Sequence, residues 1–221
     1  MRSPRPAELT TRARIRNAAI ERFGRDGFDA SLRAIGADAG VSAATIVKQY
    51  GSKEKLHEAC DEHVLAFIRD NKRETMTADD LGGAFMSQMA LLDEFQPVFL
   101  YMMRSFMTGG EVARHLIEHM VSDAVEYVRE AVAAGKLVPS RDEEARVRYL
   151  VGASVGGMML AVMREERDLA SLDRDFWART MADMALPALE IFTEGFLTDG
   201  TILDEYLLYM SDPPESEERS A

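Results

Sequence analysis

Cysteine is nearly missing from this chain, with one, Cys60, among 221 residues. A single thiol excludes an intrachain disulfide framework and fits a reducing compartment. Proline is sparse as well, and its seven copies gather mostly at ends and junctions, which leaves room for long helices. No segment runs 18 apolar residues without a charge, so no membrane-spanning helix is expected. The basic amino end MRSPRPAELTTRAR has no apolar signal-peptide core, and the expected address is the cytoplasm. A serine or cysteine nucleophile motif, a glycine-rich phosphate loop and a nucleotide fingerprint are all lacking. No cofactor is therefore expected, and the chain does not read as an enzyme. Strand-like alternation is absent too. Apolar residues recur at helical spacing, so the fold class reads as all-α.

Positive charge is scarce overall, with a net charge of -12, but it is unevenly spread. Residues 1–55 carry 11 Lys and Arg against 6 Asp and Glu, a surplus of five, whereas the remaining residues have 17 more acids than bases. A basic module on an acidic body can still bind phosphate locally, because salt confines each field to about 8–10 Å.

The basic module contains the most informative stretch, SLRAIGADAGVSAATIVKQYGSKEKL, residues 31–56. Ser31 can cap a helix carrying Leu32, Ile35 and Ala39 on one face, and Gly40 can end it. Ser42 can start a second helix in which Ile46 and Tyr50 face a core, leaving Ala43, Ala44, Thr45, Lys48 and Gln49 for solvent or a major groove. A preceding helix, about Thr11 to Arg25, supplies Ile15, Ala18, Ala19 and Phe23 to the same small core, with Val41 expected there as well. Arg12, Arg14, Arg16 and Arg25 lie largely outside it, as a solvated face or as phosphate contacts.

These pieces resemble the amino-terminal DNA-binding domain of the TetR family of transcriptional regulators. The match rests on RARIRNAAIERF, the pair Gly27-Phe28, the helix-turn-helix AIGADAGVSAATIVKQY and the GSKEKL start of a fourth helix. Two departures are visible. The link from Gly27 to Ile35 is one residue short of the common pattern, and Val47 stands where the family often has an aromatic. The resemblance implies an all-α protein in which a three-helix helix-turn-helix domain joins a larger helical ligand-binding and dimerisation domain. Its expected layout is a mobile basic arm (1–10), the DNA-binding domain (11–56), a connecting helix (57–73), the ligand-binding and dimerisation domain (74–210) and a disordered acidic tail (211–221). Double-stranded DNA is then the expected partner. Thr45, Lys48 and Gln49 are expected at base edges or phosphates, Ser42 at the helix start, and Ala43 and Ala44 where close approach is needed. Lys53, at the start of the fourth helix, is expected on phosphate.

Beyond the charged stretch RDNKRETMTADD, helices are expected over 79–93, 96–107, 110–134, 142–168 and 174–197, with a short last one near 202–210. The apolar middle of EEARVRYLVGASVGGMMLAVMREE calls for two buried faces, and Gly152, Gly156 and Gly157 would let another helix approach closely. With FWARTMADMALPALEIF it resembles the family's dimerisation pair. That implies a homodimer seam at Gly152, Val155, Gly156, Met159, Met181, Met184 and Leu189. Methionine and aromatic side chains crowd the same region, most of them core. The resemblance implies that Phe85, Met89, Phe99, Met102, Met103, Phe106, Met120, Tyr127, Met159 and Met163 line a cavity for an apolar or aromatic small molecule.

Two metal-like patterns remain. His115-Leu-Ile-Glu118-His119 matches the H-x-x-E-H signature of some zinc peptidases, but nothing nearby marks a third ligand, and neither catalysis nor a metal is assigned to it. His57, Cys60 and His63 step around about two turns and cannot all face one ion from a straight helix. The expected function is a homodimeric, ligand-released repressor on a palindromic operator. The rival readings are a helical interaction adaptor that no longer binds DNA and, further off, a metal-dependent helical enzyme.

Overall fold

Hydroxyl and carboxylate caps set where the helices begin. Thr10, Ser31, Ser42 and Ser52 each sit in extended backbone and accept the amide of the residue three positions on, at 3.1–3.2 Å. Each bond satisfies one of the amides that a helix start leaves without a partner. The resulting helices are α1 (Thr11–Asp26), α2 (Leu32–Ala39), α3 (Ala43–Tyr50) and α4 (Lys53–Thr77). They belong to a computed structural model that describes residues 10–90 and 92–211. The expected arm and tail, apart from Thr10 and Ser211, lie outside the described residues. There follow α5 (Leu81–Ala90), α6 (Leu92–Thr108), α7 (Gly110–Ala133), α8 (Glu143–Met163), a 3-10 turn (Leu169–Ser171), α9 (Arg174–Thr193) and α10 (Thr201–Ser211). The described residues include no strand, and no helix among them is long and apolar enough to cross a membrane.

Several boundaries differ from the sequence reading: the helix expected from 96 begins at Leu92, the one expected to 93 ends at Ala90, and the one expected to 197 ends at Thr193. The fourth helix does not stop near residue 73 but runs to Thr77, because Arg73 of the charged run finds partners on α7. The Arg73 guanidinium grips Glu130 of α7, and Lys136 donates to the carbonyls of Thr77 (2.5 Å) and Ala78, closing the helix end. The eighth helix stops at Met163 rather than 168, where Asp168 instead caps the 3-10 turn. Val41, expected in the core, is only half-buried.

The chain divides into two compact units, Met1–Thr180 and Met181–Ala221, with α9 passing from one to the other. In the first, α1 to α3 close over Ile15, Ala19, Phe23, Ile35 and Ile46, all nearly inaccessible to solvent. Helix α1 packs along α6, and α4 packs along α7. Helices α7 and α8 share an apolar seam of Val121, Ala124, Val125, Val128 and Val147. Gly24 lets α1 meet α6, since a Cβ there would stand 3.0 Å from the Tyr101 amide nitrogen. In the second unit, no residue of α10 is buried, although it carries Ile202, Leu203, Leu207 and Tyr209.

Candidate nucleic-acid interface

The turn between α2 and α3 is set by two glycines. Gly40 takes the left-handed conformation, φ 67°, that ends α2. Gly36 lies against the turn so closely that an added Cβ would come within 2.6 Å of the Val41 carbonyl oxygen. The Val41 amide donates to the Gly36 carbonyl at 2.8 Å, locking the crossing of the two helices.

That crossing turns one face of α3 outward. Ala44, Val47 and Lys48 are exposed, Ala43, Thr45 and Gln49 are half-buried, and Ile46 and Tyr50 point into the core. Ser42 is exposed but its hydroxyl is engaged, accepting the Thr45 amide and lying 2.9 Å from Thr45 Oγ1. The pair therefore serves first as the helix cap. Lys53 opens α4 beside the Ser52 cap, on the first turn, where backbone amides point outward. Of the expected contacts, Lys48 and Ala44 stand free on the outer face, and Val47, absent from the expected set, stands beside them with nearly half its surface accessible.

The arginines of α1 divide by role. Arg12 is exposed and also acts as a staple. Its Nη1 donates to the Gln49 carbonyl at 2.6 Å, its guanidinium lies 4.3 Å from the centre of the Tyr50 ring, and the Tyr50 hydroxyl donates to the Arg12 carbonyl at 2.7 Å. A cation is thus held on the carboxyl end of the recognition helix, where the backbone dipole favours it. Arg22 joins α1 to α2 through Asp38, with both carboxylate oxygens engaged at 2.6 and 2.7 Å. Arg14 remains exposed on the outer surface. Arg16 is half-buried, its guanidinium donates to its neighbour Asn17, its carbonyl accepts from the Cys60 thiol, and burial lowers its pKa. It lines a cleft of about 330 Å³ with Arg12, Tyr50, Glu62 and His63. Burial, then the Arg16 charge, pushes the His63 imidazole down to about 4.

The joint between this region and α6 is built from polar contacts that the sequence did not announce. The Tyr101 hydroxyl donates to Asp61 Oδ1 of α4 at 2.7 Å, and Arg104 donates to the carbonyls of Gly24 and Arg25 at 3.3 and 2.9 Å. Burial raises the Asp61 pKa, and the Tyr101 hydrogen bond opposes that rise. His57 sits among rings, 4.3 Å from Phe28 and 5.6 Å from Phe23, and is packing rather than a ligand.

The residues expected around a small molecule are spread unevenly. Met102, Met103 and Phe106 are buried. Phe85, Met89, Phe99, Met120, Tyr127 and Met159 are half-buried, and Met163 is 68% exposed in the single chain. A row of rings does form, running Phe67, Phe95, Phe99, Trp177 with centroid steps of 5.0, 5.9 and 5.6 Å. At its end Trp177 Nε1 is a buried donor without a hydrogen-bond partner among the described residues. Of the expected seam, Gly152 is exposed, Val155, Gly156, Met159, Met181 and Met184 are half-buried, and Leu189 is exposed. Added Cβ atoms at Gly152 and Gly156 would meet nothing within 4 Å. The H-x-x-E-H match fails as a peptidase site for a structural reason: Arg148 of α8 holds Glu118 through both oxygens at 3.0 and 3.3 Å and keeps its pKa low. The carboxylate is thus engaged by Arg148, and no third metal ligand converges on the two histidines among the described residues.

Comparison with known proteins agrees with this geometry. Residues 15–60 match the family model described as bacterial regulatory proteins, tetR family, and residues 93–198 match that of the tetracyclin repressor-like C-terminal domain. The HTH-type transcriptional regulatory protein RaaS of Mycobacterium tuberculosis is 43% identical over 205 residues, covering 92% of this chain and 94% of its own. Among solved structures, a TetR-family transcriptional regulator from Rhodococcus sp. has a TM-score of 0.60 at 16% identity, covering 82% of this chain and 97% of that one. SmeT, the repressor of the Stenotrophomonas maltophilia multidrug efflux pump SmeDEF, has a TM-score of 0.54 at 21% identity, with coverage of 81% and 92%. At those identities the structural likeness concerns the fold.

Proposed function

This chain belongs to the TetR family of bacterial transcriptional regulators, and from that premise we propose that it works as a homodimeric repressor released from a palindromic operator by a small molecule. The observation that carries the reading is the outer face of α3. Ala44, Val47 and Lys48 are exposed there, while Arg12 and the Ser42–Thr45 cap fix both ends of the helix from behind. Lys48 and Gln49 read base edges, Thr45 and Val47 meet thymine methyls, Ala43 and Ala44 admit the groove wall, and Lys53 takes a phosphate. Two such helices in successive major grooves must stand about 34–36 Å apart, or at a related spacing. The protein acts in the cytoplasm, with residues 11–56 as the reading head, 57–73 as the connecting helix and 74–210 as the ligand-binding and dimerisation body.

Dimerisation is supported by the state of α8. Only Val147, Met158 and Val162 are buried within the chain, while Tyr149, Leu160 and Met163 are exposed alongside the open positions at Gly152 and Gly156. An apolar helix with one face covered and the other bare suits a second copy. The ligand is apolar or aromatic and carries a hydrogen-bond acceptor, a reading supported by the ring row and the unsatisfied Trp177 donor. A ligand that prefers mis-spaced heads by about 1–3 kcal/mol would weaken operator binding about 5- to 150-fold.

The test is selection from a random duplex library at moderate salt, with wild type beside a Lys48→Ala, Gln49→Ala double variant. A palindrome recovered by wild type and lost by the variant is the expected result. No enrichment by a folded dimer, with or without candidate ligands, would refute operator binding and favour the interaction adaptor.

A further inference from the structure

His115 and His119 lie one turn apart on α7, both exposed, with their Nε2 atoms 2.9 Å from one another. That separation has a specific chemical meaning. Two imidazole nitrogens bound at about 2.05 Å to one ion stand about 2.9 Å apart when the angle between them is a right angle, and about 3.3 Å apart when it is tetrahedral. In the metal-free pair this is the spacing of a ring-to-ring hydrogen bond, and it equals that of two adjacent corners of a square-planar or octahedral shell, so an ion can replace the shared proton with little movement of the rings. Neither ring is covered by a neighbouring element, so water can fill the other corners.

The surroundings suit a dication. His115 is among the groups that oppose the rise of the Asp61 pKa on α4, and His119 among those that oppose the rise of the Asp123 pKa one turn further along α7, so a carboxylate lies near each ring. The opposing charges are accounted for. Arg148 is spent on Glu118 and Glu144, Arg114 pairs with Glu111, Arg69 with Asp70, and Arg73 with Glu130. Among the described residues no three His, Cys, Asp or Glu side chains converge on one point, so the protein offers two donors and no closed cage. Glu118, the middle residue of the motif, is withdrawn by Arg148, which leaves binding without hydrolysis.

We propose that His115 and His119 form a two-imidazole chelate for a divalent transition metal, with copper(II) and nickel(II) favoured over zinc by the right-angle geometry. The ion would brace one turn of α7 beside its contact with α4. Binding requires Nε2 of both rings to be free of protons, so each ring would carry its proton on Nδ1 when loaded. The site depends only on α7 and its neighbours, so it stands or falls separately from operator binding.

The experiment uses the full chain stripped with a chelator and titrated with copper(II), then with nickel(II) and zinc(II), followed by calorimetry and by electron paramagnetic resonance of the copper form. One equivalent should bind, with hyperfine structure from two nitrogens. His115→Ala and His119→Ala should each weaken binding at least about tenfold, because the second donor no longer binds from the same scaffold. Unfolding midpoints without metal should match wild type for both variants, since both side chains are exposed. Equal affinity in wild type and the double variant, a spectrum without two nitrogens, or no stoichiometric binding by wild type would each overturn the site.

Discussion

Removing the Arg12 staple tests the account of the recognition helix most directly. The Arg12 to Gln49 bond is charge-assisted and, since the side chain is partly open to water, is worth about 1 kcal/mol rather than the upper range for charged donors. The guanidinium on the Tyr50 ring adds about 0.5–1 kcal/mol at an exposed site. Arg12→Ala should therefore cost about 1.5–2 kcal/mol. Tyr50→Phe removes one hydroxyl bond to a backbone carbonyl and should cost about 1 kcal/mol. The two should add to within about 0.5 kcal/mol, because the hydroxyl bonds the backbone of residue 12, which alanine keeps, and the ring that faces the guanidinium survives in phenylalanine. Tyr50→Leu, which removes the ring, should instead couple to Arg12→Ala by about 0.5–1 kcal/mol. Urea unfolding followed by circular dichroism measures the sums, and hydrogen exchange of the 43–50 amides locates the loss. Arg12→Ala with unchanged stability and unchanged exchange in α3 would refute the staple.

Further outcomes follow from other contacts. Gly36→Ala places a Cβ against the Val41 carbonyl and should cost about 1–3 kcal/mol while abolishing selective DNA binding, read by unfolding and by gel shift. Tyr101→Phe strips Asp61 of its donor inside the α4–α6 joint and should cost about 1.5–3 kcal/mol, a fall of roughly 3–12 °C in Tm by calorimetry. His63 is held neutral in the fold, from 6.5 down to about 4, so the unfolded chain binds the proton first. Its contribution to stability is present above pH 6.5 and is lost as pH falls toward 4, and His63→Gln should flatten that part of the pH profile. Gly156→Arg, aimed into open space, should leave the monomer folded and block self-association, as sedimentation would show.

What could be read from the residues in advance was what is local. Ser31, Ser42 and Ser52 cap helices through amides three positions away, so the order of the residues contains the whole interaction. Gly40 ends α2 for the same kind of reason. The failures share the opposite cause. Arg12 finds its acceptor 37 residues on, Glu118 meets Arg148 after 30, and the end of α4 is held by Lys136 at a separation of 59 and 58. A charged run such as RDNKRET looks like a helix end only while its partners on α7 are unseen. The expected ligand-lining set mixed packed core with surface, because a methionine at helical spacing has the same signature in either place.

The seam between α1 and α6 has a practical corollary for building hybrid regulators. Arg104 grips the carbonyls of Gly24 and Arg25, which every residue type provides, and the close approach at Gly24 asks only that no side chain be present. The body therefore meets the reading head through its backbone, through one missing methyl, and through the Tyr101 ring, which packs against Phe28 and His57 at 5.7 and 6.0 Å. If the cut in α4 falls before Asp61, the Tyr101 contact travels with the body. A foreign head that has glycine at that one position of its first helix, and rings where Phe28 and His57 stand, can be exchanged onto this body with little redesign of the join.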